Sequence, residues 1–221
     1  VLEVDEDVDE AHASRSVPTC DRSGTSNALA NPRHIGCGPS ERTTAMATPN
    51  EFDIIVFGAS GYTGRLVAEY LQSQYGDGAD GGLTWAMCGR NLEKLKTTRD
   101  ELGLSPTVPV LEADANDLSS LREIASKCKV VLTTVGPYQQ YGSGLLAACA
   151  EVGTDYVDLC GEPLWMQRMI KEYEEVAAKS GARIVFSCGF DSVPFDLGVY
   201  FLQLHALSQY SEPFSRVRGR V

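Results

Sequence analysis

The stretch Ile54-Ile-Val-Phe-Gly58-Ala-Ser-Gly61-Tyr-Thr-Gly64, followed by Arg65-Leu-Val-Ala-Glu-Tyr-Leu71, constrains this chain more than any other. Four apolar residues rich in β-branching predict a buried strand, because strands covered on both faces are continuously rather than alternately hydrophobic. Leu66, Val67, Tyr70 and Leu71 then fall on one helical stripe. Between strand and helix stand three glycines at three-residue spacing. Gly58 permits a tight turn, Gly61 lets backbone approach a ligand, and Gly64 lets the helix pack on the strand. The N–H groups and positive dipole end of that helix face outward toward an anion, most often a pyrophosphate. A plain strand–turn–helix has the same spacing, but a strand before and a helix after are what the dinucleotide fingerprint requires.

From Phe52 onward strand and helix alternate. Leu83–Met87 is a second strand, and Asn91 caps a helix carrying Leu92, Leu95 and Leu102. Val108–Leu111 is a third strand, placed near an edge because Pro109 cannot donate to a ladder. Asp117 caps a helix with Leu118, Leu121 and Ile124. Val130–Val135 is a fourth strand stopped by Gly136-Pro137, and residues 145–150 form a helix stopped at Gly153. Tyr156–Leu159 is strand five, Pro163 opens a long helix closed at Gly181, and Arg183–Ser187 is strand six. A last helix carries Leu197, Tyr200, Phe201 and Leu204. The expectation is an α/β fold: a doubly wound parallel sheet of six strands (a Rossmann fold), its ligand outside the carboxyl ends of the strands.

Residues 1–50 are expected to form a disordered acidic and polar extension. Six of the first ten residues are carboxylates and none is basic. Met46 leads directly into the first strand and is the expected natural start. Residues 51–207 are expected to be the dinucleotide-binding domain, and 208–221, with Arg216, Arg218 and Arg220 at period two, the opening of a second domain. Those arginines form either one solvated strand face or a small anion site.

A formal net charge of −11 repels phosphate backbones and anionic lipid surfaces, so nucleic-acid partners are excluded. Seven scattered cysteines without a Cys-x-x-Cys pair predict mostly buried thiols in a reducing compartment, and His12, His34 and His205 cluster with nothing, so no metal is expected. No apolar run reaches the roughly 18 residues of a membrane span. A cytoplasmic protein is the expectation.

In an NAD site the second strand ends in Asp or Glu for the ribose 2′-hydroxyl. Here it ends in Cys88-Gly-Arg90-Asn91, without a carboxylate. The fork of Arg90 matches a 2′-phosphate bidentately, with Lys94 a second cation, so NADP is the expected cofactor; the alternative for Arg90 is a solvated surface side chain. Asp114 ends strand three, where adenine lies, or else caps a helix. Thr134, Gly136 and Pro137 end strand four beside the nicotinamide, or form a simple strand-to-helix turn. Ala59, Ser60, Tyr62 and Thr63 complete the expected phosphate loop. No tyrosine has lysine four residues later, so the acid–base pair of short-chain dehydrogenases is absent. Cys160 and Cys188 are core thiols or nucleophiles. Glu162 and Asp191 are acid–base candidates, with helix capping the alternative for Asp191.

Phe57–Gly64, Ala86–Asn91, Thr134–Tyr138 with Tyr141-Gly142, Asp158–Pro163 and Cys188–Pro194 with Asp196-Leu-Gly198 occur in that order over residues 51–204. The series resembles the saccharopine dehydrogenase-like oxidoreductases, nearest the branch of the bacterial trans-acting enoyl reductases. The resemblance implies an amino-terminal NADP(H)-binding Rossmann domain followed by an α/β domain that completes the active site. It also implies a small-molecule or lipid substrate, a role in lipid metabolism, and association with membranes or lipid droplets in some members. The acidic leader lies outside the family's pattern, and most of the second domain is missing, so no catalytic residue carries over. The rival class is a non-catalytic NADPH-binding sensor or lipid-associated scaffold.

Overall fold

The computed structural model describes residues 2–3, 50–78 and 81–219. The remaining leader, including Met46, Cys20, Cys37, His12 and His34, lies outside the described residues, as does Arg220. In order, the elements are β1 (Leu2–Glu3), β2 (Phe52–Phe57), α1 (Tyr62–Tyr75), β3 (Trp85–Gly89) and α2 (Leu92–Glu101). Next come β4 (Val110–Glu112), α3 (Leu118–Ser126), β5 (Cys128–Thr133), α4 (Tyr138–Val152) and β6 (Asp155–Asp158). The chain ends with α5 (Pro163–Ser180), β7 (Ile184–Val185), α6 (Val193–Tyr210) and β8 (Arg218–Gly219). These residues divide into two compact units, 50–200 and 2–3 with 201–219. In the smaller unit β1 pairs antiparallel with β8, and the Gln203 side chain accepts from the Phe214 N–H at 2.8 Å.

The larger unit is a six-stranded parallel sheet in the order β4-β3-β2-β5-β6-β7. This is the doubly wound Rossmann arrangement, with its switch point between β2 and β5. Side chains alternate across each strand, so one run of apolar residues feeds two cores. Ile55 and Phe57 of β2, with Ala86 and Cys88 of β3, pack with Leu121, Ile124, Leu145, Leu146 and Trp165 from α3, α4 and α5. Val56, Trp85 and Met87 turn the other way, onto Ala68 and Leu71 of α1 and Leu95 of α2.

Local chemistry sets the helix ends. Asn91 Oδ1 accepts from the Lys94 N–H at 2.8 Å, and Asp117 Oδ1 from the Ser119 N–H at 3.0 Å. Gly153 and Gly181 close α4 and α5 in the left-handed conformation, at φ 89° and 85°.

β3 lies two residues later than expected, β5 two earlier and β6 one earlier; three further differences have a local cause. β4 begins at Val110, two residues late, although Val108 is buried. β7 has two residues, because the chain turns sharply at Ser187, which has φ 59°. α4 begins at Tyr138, seven residues early, and runs through Gly142 and Gly144. Packing overrides helix propensity there: a Cβ on Gly142 would lie 2.8 Å from Trp165 Cζ2 of α5. Trp165 in turn packs against Tyr138 in a tilted pair at 5.5 Å and against Phe186 edge to face at 5.6 Å, tying α4, α5 and the residue after β7 together.

Candidate dinucleotide site

The residues expected to hold the dinucleotide follow the carboxyl ends of β2, β3, β4 and β5, and the reactive candidates Cys160, Glu162, Cys188 and Asp191 follow β6 and β7. The turn after β2 is fixed by β3: the N–H groups of Gly58 and Ala59 both donate to the Cys88 carbonyl, at 2.8 and 3.2 Å. Gly58 has φ 92°, and a Cβ on it would lie 2.6 Å from Val135 Cγ2 and 2.8 Å from Thr134 Oγ1. The glycine therefore lets the turn press against the segment leaving β5, which closes the floor of the crevice. A Cβ on Gly64 would stand 2.2 Å from the Gly58 carbonyl oxygen, so the first turn of α1 lies directly on the loop. Gly61 is different. Its Cβ would meet only the Gly58 oxygen, at 3.3 Å, a tight contact and not the steric overlap found at Gly58 and Gly64.

Gly61 is also the N-cap of α1 and makes no side-chain cap. α2 is capped by Asn91 and α3 by Asp117. The N-terminus of α4 is closed by a residue distant in sequence: Glu162 accepts from the Tyr138 N–H at 2.7 Å and the Gln139 N–H at 3.0 Å. Of these four helices, α1 alone presents its positive end without a side-chain acceptor among the described residues, an arrangement that suits an anion. Ser60 is half-buried beside it, and Tyr62 and Thr63 are exposed. Ala59 is fully buried with its N–H engaged, so it shapes the loop instead of facing a ligand.

Arg90 lies two residues beyond the Cys88 carbonyl that anchors the loop. It is exposed and makes no ion pair with any described residue, and neither does Lys94. On the adjoining strand Glu112 stands in register with Gly89 and is exposed, a neighbour that sequence reasoning missed because it pairs only through the sheet. Asp114 follows it, and its Oδ1 accepts from the Asn116 N–H at 2.8 Å and Nδ2 at 3.0 Å, closing a local turn. Thr134 Oγ1 donates to the carbonyls of Phe57 and Gly58 at 3.4 and 3.3 Å. Its hydroxyl is a strut between β2 and β5. Gly136 and Pro137, joined by a cis peptide, are exposed at the edge of the crevice.

Of the two acid–base candidates, Glu162 is committed to capping α4. Tyr138 is buried, donates its hydroxyl to the Thr133 carbonyl at 3.2 Å and accepts from the Leu159 N–H at 3.4 Å; burial pushes its phenol well above the usual range. Asp158, which sequence reasoning did not single out as a site residue, is buried at the end of β6. It accepts from the Tyr156 hydroxyl at 2.9 Å and from the N–H groups of Cys160 and Ser187 at 3.0 and 2.8 Å. Burial nevertheless raises its pKa. Cys160 is buried, as expected of a core thiol; Cys188 is not, and stands exposed after β7. Asp191 is exposed in the turn before α6. Among the described residues no three His, Cys, Asp or Glu are grouped to hold a metal, and no helix is long and apolar enough to cross a membrane. Two grooves, of about 350 and 790 Å³, lie along α5 and β7, away from the glycine loop.

The model of the saccharopine dehydrogenase NADP binding domain matches residues 54–185, from within β2 to the end of β7. The chain is 51% identical over 157 residues to a Mycobacterium tuberculosis protein named "Putative trans-acting enoyl reductase", covering 71% of this chain and 36% of that protein. It is 46% identical over 153 residues to the trans-acting enoyl reductase of Mycobacterium leprae, covering 69% of this chain and 35% of that one. The match thus spans about a third of each relative's length. Among solved structures, apo saccharopine dehydrogenase (L-Glu forming) of Saccharomyces cerevisiae superposes with a TM-score of 0.51 at 18% identity, over 71% of this chain and 30% of that one; the likeness is one of fold.

Proposed function

The chain belongs to the family of saccharopine dehydrogenase NADP binding domains, and from that premise we propose that it is the cofactor-holding part of an oxidoreductase that reduces an enoyl or related lipid intermediate. NADP is the cofactor of the family. The enoyl substrate rests on the names of the mycobacterial relatives. In this reading residues 51–207 are the dinucleotide-binding domain, and 208–221 open the domain that follows.

The observation that carries the proposal is the uncapped N-terminus of α1 behind a glycine with room above it. The pyrophosphate lies on the N–H groups of the Gly58–Gly64 loop, where backbone donors and the helix dipole act together. Arg90, with no partner to give up, takes the 2′-phosphate in a bidentate contact, and Lys94 adds a second positive charge. Asp114 borders the adenine. Gly136 and Pro137 wall the nicotinamide, where the absence of a bulky side chain lets the ring approach the backbone. When bound, NADPH supplies the hydride; the chain binds and orients it. Titration with NADPH and NADH tests the cofactor half, and equal affinities would refute it.

A second reading, an NADPH-binding scaffold without turnover, is favoured by one observation: Glu162, Tyr138, Asp158 and Cys160 are all engaged within the fold. NADPH oxidation in the presence of an enoyl lipid, measured on a protein of the relatives' full length, separates the two.

A further inference from the structure

We infer that Glu162 is a positioning residue for the nicotinamide half of the crevice, an inference that rests on the reading of Gly136 and Pro137 as the nicotinamide wall. α2 and α3 are closed by the residue that precedes them. α4 cannot be, because its N-cap is Pro137, which has no side-chain acceptor. Two N–H groups of its first turn are satisfied instead by one carboxylate 24 and 23 residues further on, in the loop leaving β6. A charge-assisted pair of this kind is stronger than a neutral cap, and it is directional. Because Tyr138 is peptide-bonded to Pro137, the pair fixes the wall loop after β5 to the loop after β6. The Tyr138 hydroxyl, bridging the Thr133 carbonyl and the Leu159 N–H, joins the same two loops from the buried side. The wall is held at both ends.

The same contact makes the crevice asymmetric. Two helix N-termini, those of α1 and α4, flank the switch point between β2 and β5, and both attract anions. Glu162 closes the second with a negative charge and leaves the first open. A dinucleotide therefore has one place for its pyrophosphate, and the uncharged carboxamide end is directed to the Gly136–Pro137 side. No other described carboxylate contacts the first turn of α4. Asp158, the carboxylate nearest Glu162 in sequence, is spent on Tyr156, Cys160 and Ser187.

The test compares two ligands on the chain as it stands: NADPH, and adenosine 2′,5′-bisphosphate, which carries the adenine and 2′-phosphate but no nicotinamide. Glu162→Ala should weaken NADPH about ten-fold, the loss expected when a charged acceptor is removed from two donors. Adenosine 2′,5′-bisphosphate should change by less than about two-fold, and Glu162→Gln, with one oxygen for two N–H groups, should fall between on NADPH. A purely structural cap would lower both ligands together with the melting temperature, and that parallel fall would overturn the inference, as would unchanged NADPH binding. Should Glu162→Ala fail to fold, Glu162→Gln carries the same comparison. An unmutated chain that bound neither ligand would instead remove the NADP reading, and this inference with it.

Discussion

A Cβ placed on Gly64 would stand 2.2 Å from the carbonyl oxygen of Gly58. That contact, between the first turn of α1 and the end of β2, separates the three glycines by cause. Gly64→Ala must push the helix off the loop, costing about 1–3 kcal/mol as overpacking does. Gly58→Ala adds a left-handed backbone at φ 92° to a 2.6 Å clash with Val135. Both should lower the melting temperature and abolish nucleotide binding. Gly61→Ala meets only one oxygen, at 3.3 Å, so it should melt within a few degrees of the unmutated protein while binding NADPH at least about ten-fold more weakly. Thermal melts paired with NADPH titration check this. Normal binding by Gly61→Ala would show that the loop is not where the pyrophosphate sits.

Arg90 supplies the second prediction. It is exposed and unpaired among the described residues, while Glu112 and Asp114 stand on the neighbouring strand end. NADPH should bind at least ten-fold tighter than NADH, because a bidentate phosphate contact can exceed about 1.4 kcal/mol. Arg90→Ala should remove most of that preference with little effect on NADH. With the guanidinium gone, Glu112 and Asp114 would act on the 2′-phosphate as like charges, so the variant should not retain the preference through Lys94 alone. Isothermal titration of both cofactors decides it, and an unchanged ratio in Arg90→Ala would move the phosphate elsewhere.

Most of this architecture was legible in the sequence, for identifiable reasons. β2 and β3 are short apolar runs followed by glycine or ended by it, and the helix stops at Gly153 and Gly181 and the caps Asn91 and Asp117 act within four residues of themselves. Short-range chemistry of that kind can be read locally. What could not be read acts through space. Glu162 caps a helix that begins 24 residues before it. Gly142 is tolerated within α4 because Trp165 needs the room. Glu112 reaches Gly89 only through strand register. Asp158 looked like the end of a strand; its three donors come from β6, the loop after it and the turn at Ser187.

The buried thiols make stability fall at alkaline pH. Burial in the sheet pushes Cys88 and Cys128 up to about 12, against roughly 8.5 for an unfolded thiol. A pKa raised on folding stabilises fully below the unfolded value, and the gain is lost as pH rises toward the folded one. Each thiol should therefore cost up to about 1.4 kcal/mol per pH unit above roughly pH 8.5. Cys88→Ala will be less stable at neutral pH because of its cavity, but its deficit should shrink as pH rises through that window. Urea unfolding at several pH values measures the gap. A gap independent of pH would mean that Cys88 titrates normally in the folded protein.

The last prediction is that the chain as given binds NADPH and reduces nothing. All six strands of the sheet lie between Phe52 and Val185, and the phosphate loop, Arg90 and Asp114 come from the first three of them. In the proposed reading these residues hold the adenine and phosphate half of the cofactor. Turnover needs a group that orients substrate over the nicotinamide and one that delivers a proton, and orientation alone can be worth roughly 7–11 kcal/mol of barrier. Three groups beside the crevice are already engaged: Glu162 on α4, the Tyr138 phenol between two backbone groups with its pKa raised by burial, and Asp158 inside the sheet. Beyond β7, Phe190, Leu197 and Tyr200 are exposed at 68%, 57% and 62%, an apolar surface that should also make the chain prone to associate. Fluorescence titration should show saturable NADPH binding, while absorbance of the same cofactor stays constant with unsaturated acyl substrates added. Sustained NADPH oxidation would show that the reacting groups are already present. Asp191, exposed in the turn before α6 and without a side-chain hydrogen bond among the described residues, would then be the first residue to replace.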